Sequence, residues 1–206
     1  MLGGTFDPPH IGHLIVASEA LWQLGLDVVR LVPARVPPHK PTGAQTAADT
    51  RAWWLERAVA GTPGLEVSRA ELDREGASYT ADTLEAMAAE EPGALLWFIL
   101  GADQLADLPR WRDPQRILAA ARLAVVPRAG RDVRELAAEV APGRADVLDV
   151  PEIGVSSSMI RERIAAGLPI RFLVPPEVEE SLRREGLVAS HGSSAQRKDH
   201  SRPRSS

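Results

Sequence analysis

The sequence predicts a three-layer α/β/α domain built on a doubly wound parallel sheet of the Rossmann-like kind. Three observations predict it. Apolar runs of strand length alternate with stretches of helical periodicity from end to end of the 206 residues, the order that builds parallel βαβ units. Two of those runs, at 94–100 and 123–126, are continuous rather than alternating, as strands covered on both faces must be. A glycine-rich loop leads directly into a helix start over 3–14, the local geometry found at the ligand crevice of such sheets. No internal repeat is visible. The domain is expected over 1–188, and the polar segment 189–206, rich in Ser, Gly, His, Arg and Lys, is expected to be disordered.

Taken in order, Met1 and Leu2 are too few for a full first strand. Either that strand is cut short or the true start lies upstream. Gly3 and Gly4 permit close approach of a ligand to the main chain. Asp7-Pro8-Pro9 forbids both a helix interior and a central strand. Leu14, Ala17, Leu21 and Leu24 then recur at helical spacing, with Gly25 as the stop. The amides at that helix start form an anion site. His10 and His13, three apart, lie on one side of its first turn. They suit a phosphate chain whose charge grows during reaction, with Gly12 expected to leave room for the ligand between the rings.

A short buried strand is expected at 28–32, ended by Pro33, and then a loop over 34–43 interrupted by Pro37, Pro38 and Pro41. Lys40 in that loop either reaches a phosphate or is simply solvated. Thr46 or Asp49 is expected to cap a helix running to Ala60. Trp53 and Trp54 in it are read as core or interface, and Arg51 either has a role in the site or lies on the surface. A weak strand at 65–68 precedes Thr80, which suits an N-cap for a helix through Ala89. The apolar run at 94–100 ends in Gly101-Ala102-Asp103 at the crevice. Asp103 there either bonds a ribose or metal-bound phosphate, or caps the next helix. Asp113-Pro114 starts a helix, and Trp111 just before it offers a face for a flat heteroaromatic ring. The strand at 123–126 is followed by Arg128, then by a helix at 132–140 and a strand at 147–150.

Ser156 is a natural N-cap for a helix reaching Ala166, with Gly167 as its stop. Ser156, Ser157 and Ser158, with Arg161 one turn in, read as a second phosphate site. A last helix is expected over 176–185, closed by Gly186.

Net charge is −4 overall. The segment after Val188 holds Arg197, Lys198, Arg202 and Arg204 against Asp199, a net of +3; subtracting that from −4 leaves −7 for the body. Such a body argues against nucleic acid as partner. No apolar run approaches the roughly 20 residues that cross a bilayer, and no leader is apparent, so no membrane partner is expected and the cytoplasm is the default. The absence of cysteine excludes disulfides and thiolate metal sites.

The run Gly3-Gly4-Thr5-Phe6-Asp7-Pro8-Pro9-His10-Ile11-Gly12-His13-Leu14 resembles the signature of the nucleotidyltransferase superfamily, which carries His-x-Gly-His after a glycine-rich first loop. Its Phe-Asp-Pro-x-His form is most similar to the bacterial nicotinate-nucleotide adenylyltransferases. So are Pro37-Pro38-His39-Lys40, Tyr79-Thr80 with Thr83-Leu84, Gly101-x-Asp103 with Trp111, and the serine run ending in Arg161. Arg128-Ala129-Gly130 matches only in part a family Arg-Pro-Gly. The resemblance covers roughly 3–188.

It implies transfer of AMP from ATP to nicotinate mononucleotide, giving deamido-NAD and pyrophosphate. His10, His13 and Arg161 would be catalytic. Gly3, Gly4, Thr5, Phe6, Lys40, Asp103, Ser156, Ser157 and Ser158 would hold ATP and its phosphates, and Thr80, Trp111 and Arg128 the mononucleotide. Mg2+ would arrive with ATP, without a protein-bound prosthetic group. Alternatives are an adenylyltransferase for nicotinamide mononucleotide or phosphopantetheine, a cytidylyltransferase, a fragment of a class I aminoacyl-tRNA synthetase, and a non-catalytic nucleotide-binding regulator. Acid or amide preference and oligomeric state stay open.

Overall fold

A computed structural model describes residues 1–36, 44–128 and 132–188. Strands β1 (Leu2–Gly4), β2 (Val29–Pro33), β3 (Leu65–Val67), β4 (Trp97–Gly101), β5 (Arg122–Val126) and β6 (Ala145–Val147) pair in one sheet ordered β3-β2-β1-β4-β5-β6. Every pairing is parallel. The helices that link them are α1 (Ile11–Gln23), α2 (Ala48–Val59), α3 (Thr80–Glu90), α4 (Ala102–Asp107), α5 (Pro114–Ala120) and α6 (Val133–Val140). A turn of 3-10 helix at Leu108–Arg110 precedes α5, and α7 (Ser157–Ala165) and α8 (Pro176–Arg184) close the domain. The strand order reverses between β1 and β4, the switch point where doubly wound sheets open a crevice.

Side chains alternate across each strand, and both faces here are covered. Phe98 and Leu100 face a core with Leu84, Leu105, Leu123 and Val125. Ile99 faces the opposite core, with Ala17, Leu31, Leu55 and Ala124. That is why the apolar run of β4 is unbroken. A third cluster, in which Trp54 meets Ile160, Ile170, Val178 and Leu182, fastens α7 and α8 against α2. The Trp54 indole donates to Ser181 Oγ at 2.9 Å. Trp53 is not core: it is 37% exposed and carries the Arg57 guanidinium over its ring.

The first strand forms despite its brevity. Leu2 is registered against both Leu31 and Ile99, Ile99 N–H donates to the Met1 carbonyl, and the Met1 amine donates to the Trp97 carbonyl. Other boundaries shift for identifiable reasons. β6 ends at Val147 instead of running over 147–150, because the Gln23 side chain replaces the next backbone partner. Its amide donates to the Asp149 carbonyl at 2.7 Å and accepts from Asp149 N–H at 2.9 Å. β4 begins at Trp97, since Ala94 is held in a turn by the Glu91 carbonyl and Leu95 is exposed. Neither Thr46 nor Asp49 caps α2, whose N-cap is Ala47; Asp49 pairs instead with Arg69. Tyr79, not Thr80, is the N-cap of α3, and Gly101, not Asp103, that of α4. Ser156 and Asp132 do cap, accepting from Met159 N–H and from Arg134 and Glu135 N–H respectively. Among the described residues no helix is long and apolar enough to cross a membrane. Segment 189–206 lies outside them.

Candidate active site

β1 delivers Gly3 and Gly4 to the carboxyl end of the sheet, beside the switch point. Immediately after, the chain folds back. Phe6 has φ 51° and is 1% exposed, its ring lying where a Gly4 Cβ would come within 3.0 Å. Only a glycine leaves that space. Phe6 is therefore packed beneath the loop rather than presented to a ligand.

Two buried charges hold this loop. The Asp7 carboxylate accepts from Gln45 N–H at 2.7 Å and Thr46 N–H at 3.4 Å. Arg51, for which a surface place was one of two readings, is 1% exposed. Its guanidinium donates to the Thr5 carbonyl, to Ala34 O at 2.7 Å and to Thr46 O at 3.1 Å. Burial lowers its pKa and the charge of Asp7 opposes that shift. The fork thus ties the loops after β1 and β2 to α2, satisfying three carbonyls that turn inward. No signal in the sequence separates this arginine from a solvated one.

α1 begins with His10 as its N-cap residue. The His10 N–H donates to His13 Nδ1 at 3.1 Å, which leaves the His13 proton on Nε2. The two imidazoles stack with centroids 3.6 Å apart and an interplanar angle of 24°, and Phe6 meets His13 edge-on at 4.7 Å. A Cβ on Gly12 would stand 3.0 Å from His10 Nδ1 and 3.1 Å from its Cε1. The space expected there for a ligand is filled by the His10 ring, so Gly12 serves the imidazole. His10 is 7% exposed, its Nδ1 is buried without a partner, and burial pushes its pKa down to about 4. It is neutral at pH 7. The amide of Ile11, expected to face an anion, donates instead to the Leu173 carbonyl at 3.1 Å.

α7 comes against this loop from the far end of the chain. Ser157 Oγ donates to the Pro8 carbonyl at 2.8 Å. Arg161 donates to the Asp7 carbonyl at 2.6 Å and to Ser158 Oγ at 3.0 Å. His10, His13, Ser156, Ser157, Ser158 and Arg161 are thereby drawn to one place. Both helices point their N-termini, with their partial positive charge, to the carboxyl edge of the sheet.

Beside them opens a cavity of about 220 Å³, lined by Gly3, Gly4, Thr5, Thr80, Phe98 and Trp111 among others. The Trp111 ring lies 6.0 Å from that of Phe98, tilted by 59°. Thr80 reaches the cavity as the first helical residue of α3. Asp103 and Arg128, expected to meet different ligands, form an ion pair with each other across the ends of β4 and β5, both well exposed. Lys40 lies outside the described residues. Tyr79, named from sequence only as part of the Tyr79-Thr80 motif, also lines the cavity, as do Glu71 and Arg112; sequence reading gave neither of these two a role, because charge alone does not show which residues meet around a void.

Comparison with known proteins shows the family and the fold. Residues 1–163 match the cytidylyltransferase-like family. The chain is 40% identical over 192 residues to a protein of Synechococcus sp. (strain JA-3-3Ab) named probable nicotinate-nucleotide adenylyltransferase, covering 91% of this chain and 92% of that one. It is 38% identical over 190 residues to the nicotinate-nucleotide adenylyltransferase of Bacillus subtilis (strain 168), covering 92% and 97%. In fold it is similar to the Plasmodium falciparum nicotinic acid mononucleotide adenylyltransferase complexed with NaAD, with TM-score 0.76 and 16% identity over 90% of this chain and 94% of that one. A glycine-rich loop, a stacked histidine pair and a serine-capped helix meeting at the switch point are thus the work of a nucleotidyltransferase sequence, and the chain belongs to the cytidylyltransferase-like family, beside proteins named nicotinate-nucleotide adenylyltransferase.

Proposed function

We propose that this chain transfers the adenylyl group of ATP to nicotinate mononucleotide, giving deamido-NAD and pyrophosphate. The observation that carries the reading is the junction of α7 with the loop before His10. It sets a guanidinium, a helix N-terminus and two imidazoles next to the cavity that Thr80 and Trp111 line.

In this reaction a phosphate oxygen of the mononucleotide forms a bond to the α-phosphorus of ATP as the bond from that phosphorus to the bridging oxygen of pyrophosphate breaks. No protein nucleophile is required; positioning and charge stabilisation supply the catalysis. His13 Nε2–H is the donor aimed at the phosphate chain, its orientation fixed by the His10 amide on the other nitrogen. Neutral His10 backs that ring by stacking on it. Arg161, with the amides and hydroxyls of Ser157 and Ser158, holds the departing pyrophosphate. Gly3, Gly4 and Thr5 let the nucleotide approach the main chain. Lys40 adds positive charge, Asp103 meets the ribose, and Arg128 the mononucleotide once their ion pair opens. Trp111 stacks on the pyridine ring and Thr80 bonds its substituent.

Mg2+ would come with ATP and share the charge of its phosphates. Among the described residues there is no group of three His, Asp or Glu side chains that could hold a metal. Magnesium would be held chiefly by phosphates and water.

The test is pyrophosphate release from Mg·ATP in the presence of nicotinate or nicotinamide mononucleotide. Release that depends on a mononucleotide is expected, and His13→Ala should lower it by at least a hundredfold, a typical loss for one transition-state donor. Release with neither compound would overturn the assignment.

A further inference from the structure

Two charged side chains line the cavity among the described residues, Glu71 and Arg112. They differ in what surrounds them. Glu71 is 6% exposed, accepts from Thr83 Oγ1 at 2.9 Å and is hydrogen-bonded by Ser78. Arg74 reaches the same Thr83 hydroxyl at 2.9 Å. Burial pushes the Glu71 carboxyl above its ordinary range, while the Thr83 and Ser78 hydrogen bonds and the charge of Arg74 oppose that shift, so its side chain is already engaged within the wall. Arg112 follows Trp111 directly in the loop before α5. Its guanidinium lies over the Tyr79 ring, 4.3 Å from the centroid, and Tyr79 immediately precedes Thr80. Its acidic neighbour is Asp113, at 3.6 Å and also engaged by Arg116 at 3.3 Å. Arg112 is therefore a cation seated on an aromatic platform at the cavity wall, and it shares the Asp113 carboxylate with Arg116.

A pyridine ring stacked on Trp111 brings its ring substituent into this cavity. A carboxylate and a carboxamide have nearly the same shape and differ by one charge. A guanidinium fork bonds a carboxylate through two charge-assisted contacts and gains little from an amide. Resting on the adenylyl-transfer reading, we infer that Arg112 is the specificity-determining residue that selects the carboxylate over the carboxamide mononucleotide. The Tyr79 ring holds the guanidinium in place before substrate arrives, so less freedom is lost on binding. Since the side chain is partly exposed, water weakens the attraction, and the discrimination it supplies is about tenfold, the scale of one charge-assisted hydrogen bond.

The experiment measures kcat/KM at saturating Mg·ATP for both mononucleotides in the wild type, Arg112→Gln and Arg112→Lys. Arg112→Gln is expected to lower kcat/KM for the acid about tenfold, mainly through KM, while the amide changes less than twofold. Arg112→Lys should keep part of the preference. Calorimetric titration of each variant with both mononucleotides reads the same ratio without turnover. Equal losses for acid and amide would mean that Arg112 meets the phosphate common to both, which overturns the inference. An unchanged ratio, or a wild type that prefers the amide, overturns it as well. A wild type silent with both compounds is a separate outcome: it overturns the adenylyl-transfer reading, and the inference with it.

Discussion

Arg161 donates a hydrogen bond to the main-chain carbonyl of Asp7 at 2.6 Å, across 154 positions of sequence. The same guanidinium also donates to Ser158 Oγ. One side chain thus fastens α7 to the loop that presents the histidines and keeps a positive charge at the helix start. Arg161→Ala should lower kcat about a hundredfold, the scale seen when one preorganised electrostatic contact is removed. Arg161→Lys should recover only part of this, because a point charge lacks the fork that reaches both partners. Steady-state kinetics on folded protein check it; a change under threefold in the alanine variant would remove Arg161 from the machinery.

Gly12→Ala tests whether the His10 ring position matters. Alanine within a helix ordinarily stabilises by about 1 kcal/mol over glycine. Here the new Cβ stands 3.0 Å from His10 Nδ1, and the ring must yield while stacked on His13. Overpacking reverses the sign: a net loss of about 1 kcal/mol is expected, with kcat reduced about tenfold. A variant more stable than wild type, with kcat unchanged, would show that the ring moves freely.

Arg51→Met probes the clamp beneath the loop. Replacement by methionine leaves the carbonyls of Thr5, Ala34 and Thr46 without their guanidinium donor and removes a positive charge that acts on the buried Asp7 carboxylate. Breaking such a buried charge arrangement costs about 3–5 kcal/mol. Urea unfolding should report that loss, and one below about 1 kcal/mol would contradict the account.

The buried imidazole of His10 predicts a pH dependence of stability. Its pKa falls from the ordinary 6.5 to about 4 in the folded chain. Between those values the unfolded chain binds a proton that the folded chain refuses, so stability rises with pH over this window and is lost as pH drops through it. The full effect is roughly 3 kcal/mol, with about 2 kcal/mol of it lost by pH 5. Glu71, raised by burial, slopes the other way but acts equally in a variant that keeps it. Comparing urea midpoints at pH 7.5 and pH 5 in wild type and His10→Gln isolates the histidine. The variant should lose less on acidification; parallel losses would refute the assignment.

Local chemistry explains what could be read directly. Ser156 caps where expected because a short oxygen-bearing side chain before an apolar run has few other uses, and Asp132 caps α6 for the same reason. β4 and β5 are legible because strands covered on two faces leave no polar alternation. Thr80 misleads as a cap, since Tyr79 takes that place with backbone torsions alone. β6 misleads because a glutamine side chain from α1 stands in for a strand partner. Asp103 and Arg128 looked like two separate ligand contacts, and nothing in a linear string shows that they neutralise each other.

By itself the sequence determined the alternation of strands and helices, the two phosphate-suited helix starts and the candidate ring platform at Trp111, because periodicity, caps and turn residues act over a few positions. Only the tertiary structure decided that Arg51 lies under the loop, that Gly12 makes room for His10, and that Glu71 and Arg112 face one cavity. Those outcomes depend on desolvation and on hydrogen bonds such as Ser157 to Pro8 and Arg161 to Asp7, whose partners become neighbours only after the sheet has brought distant segments to the same edge.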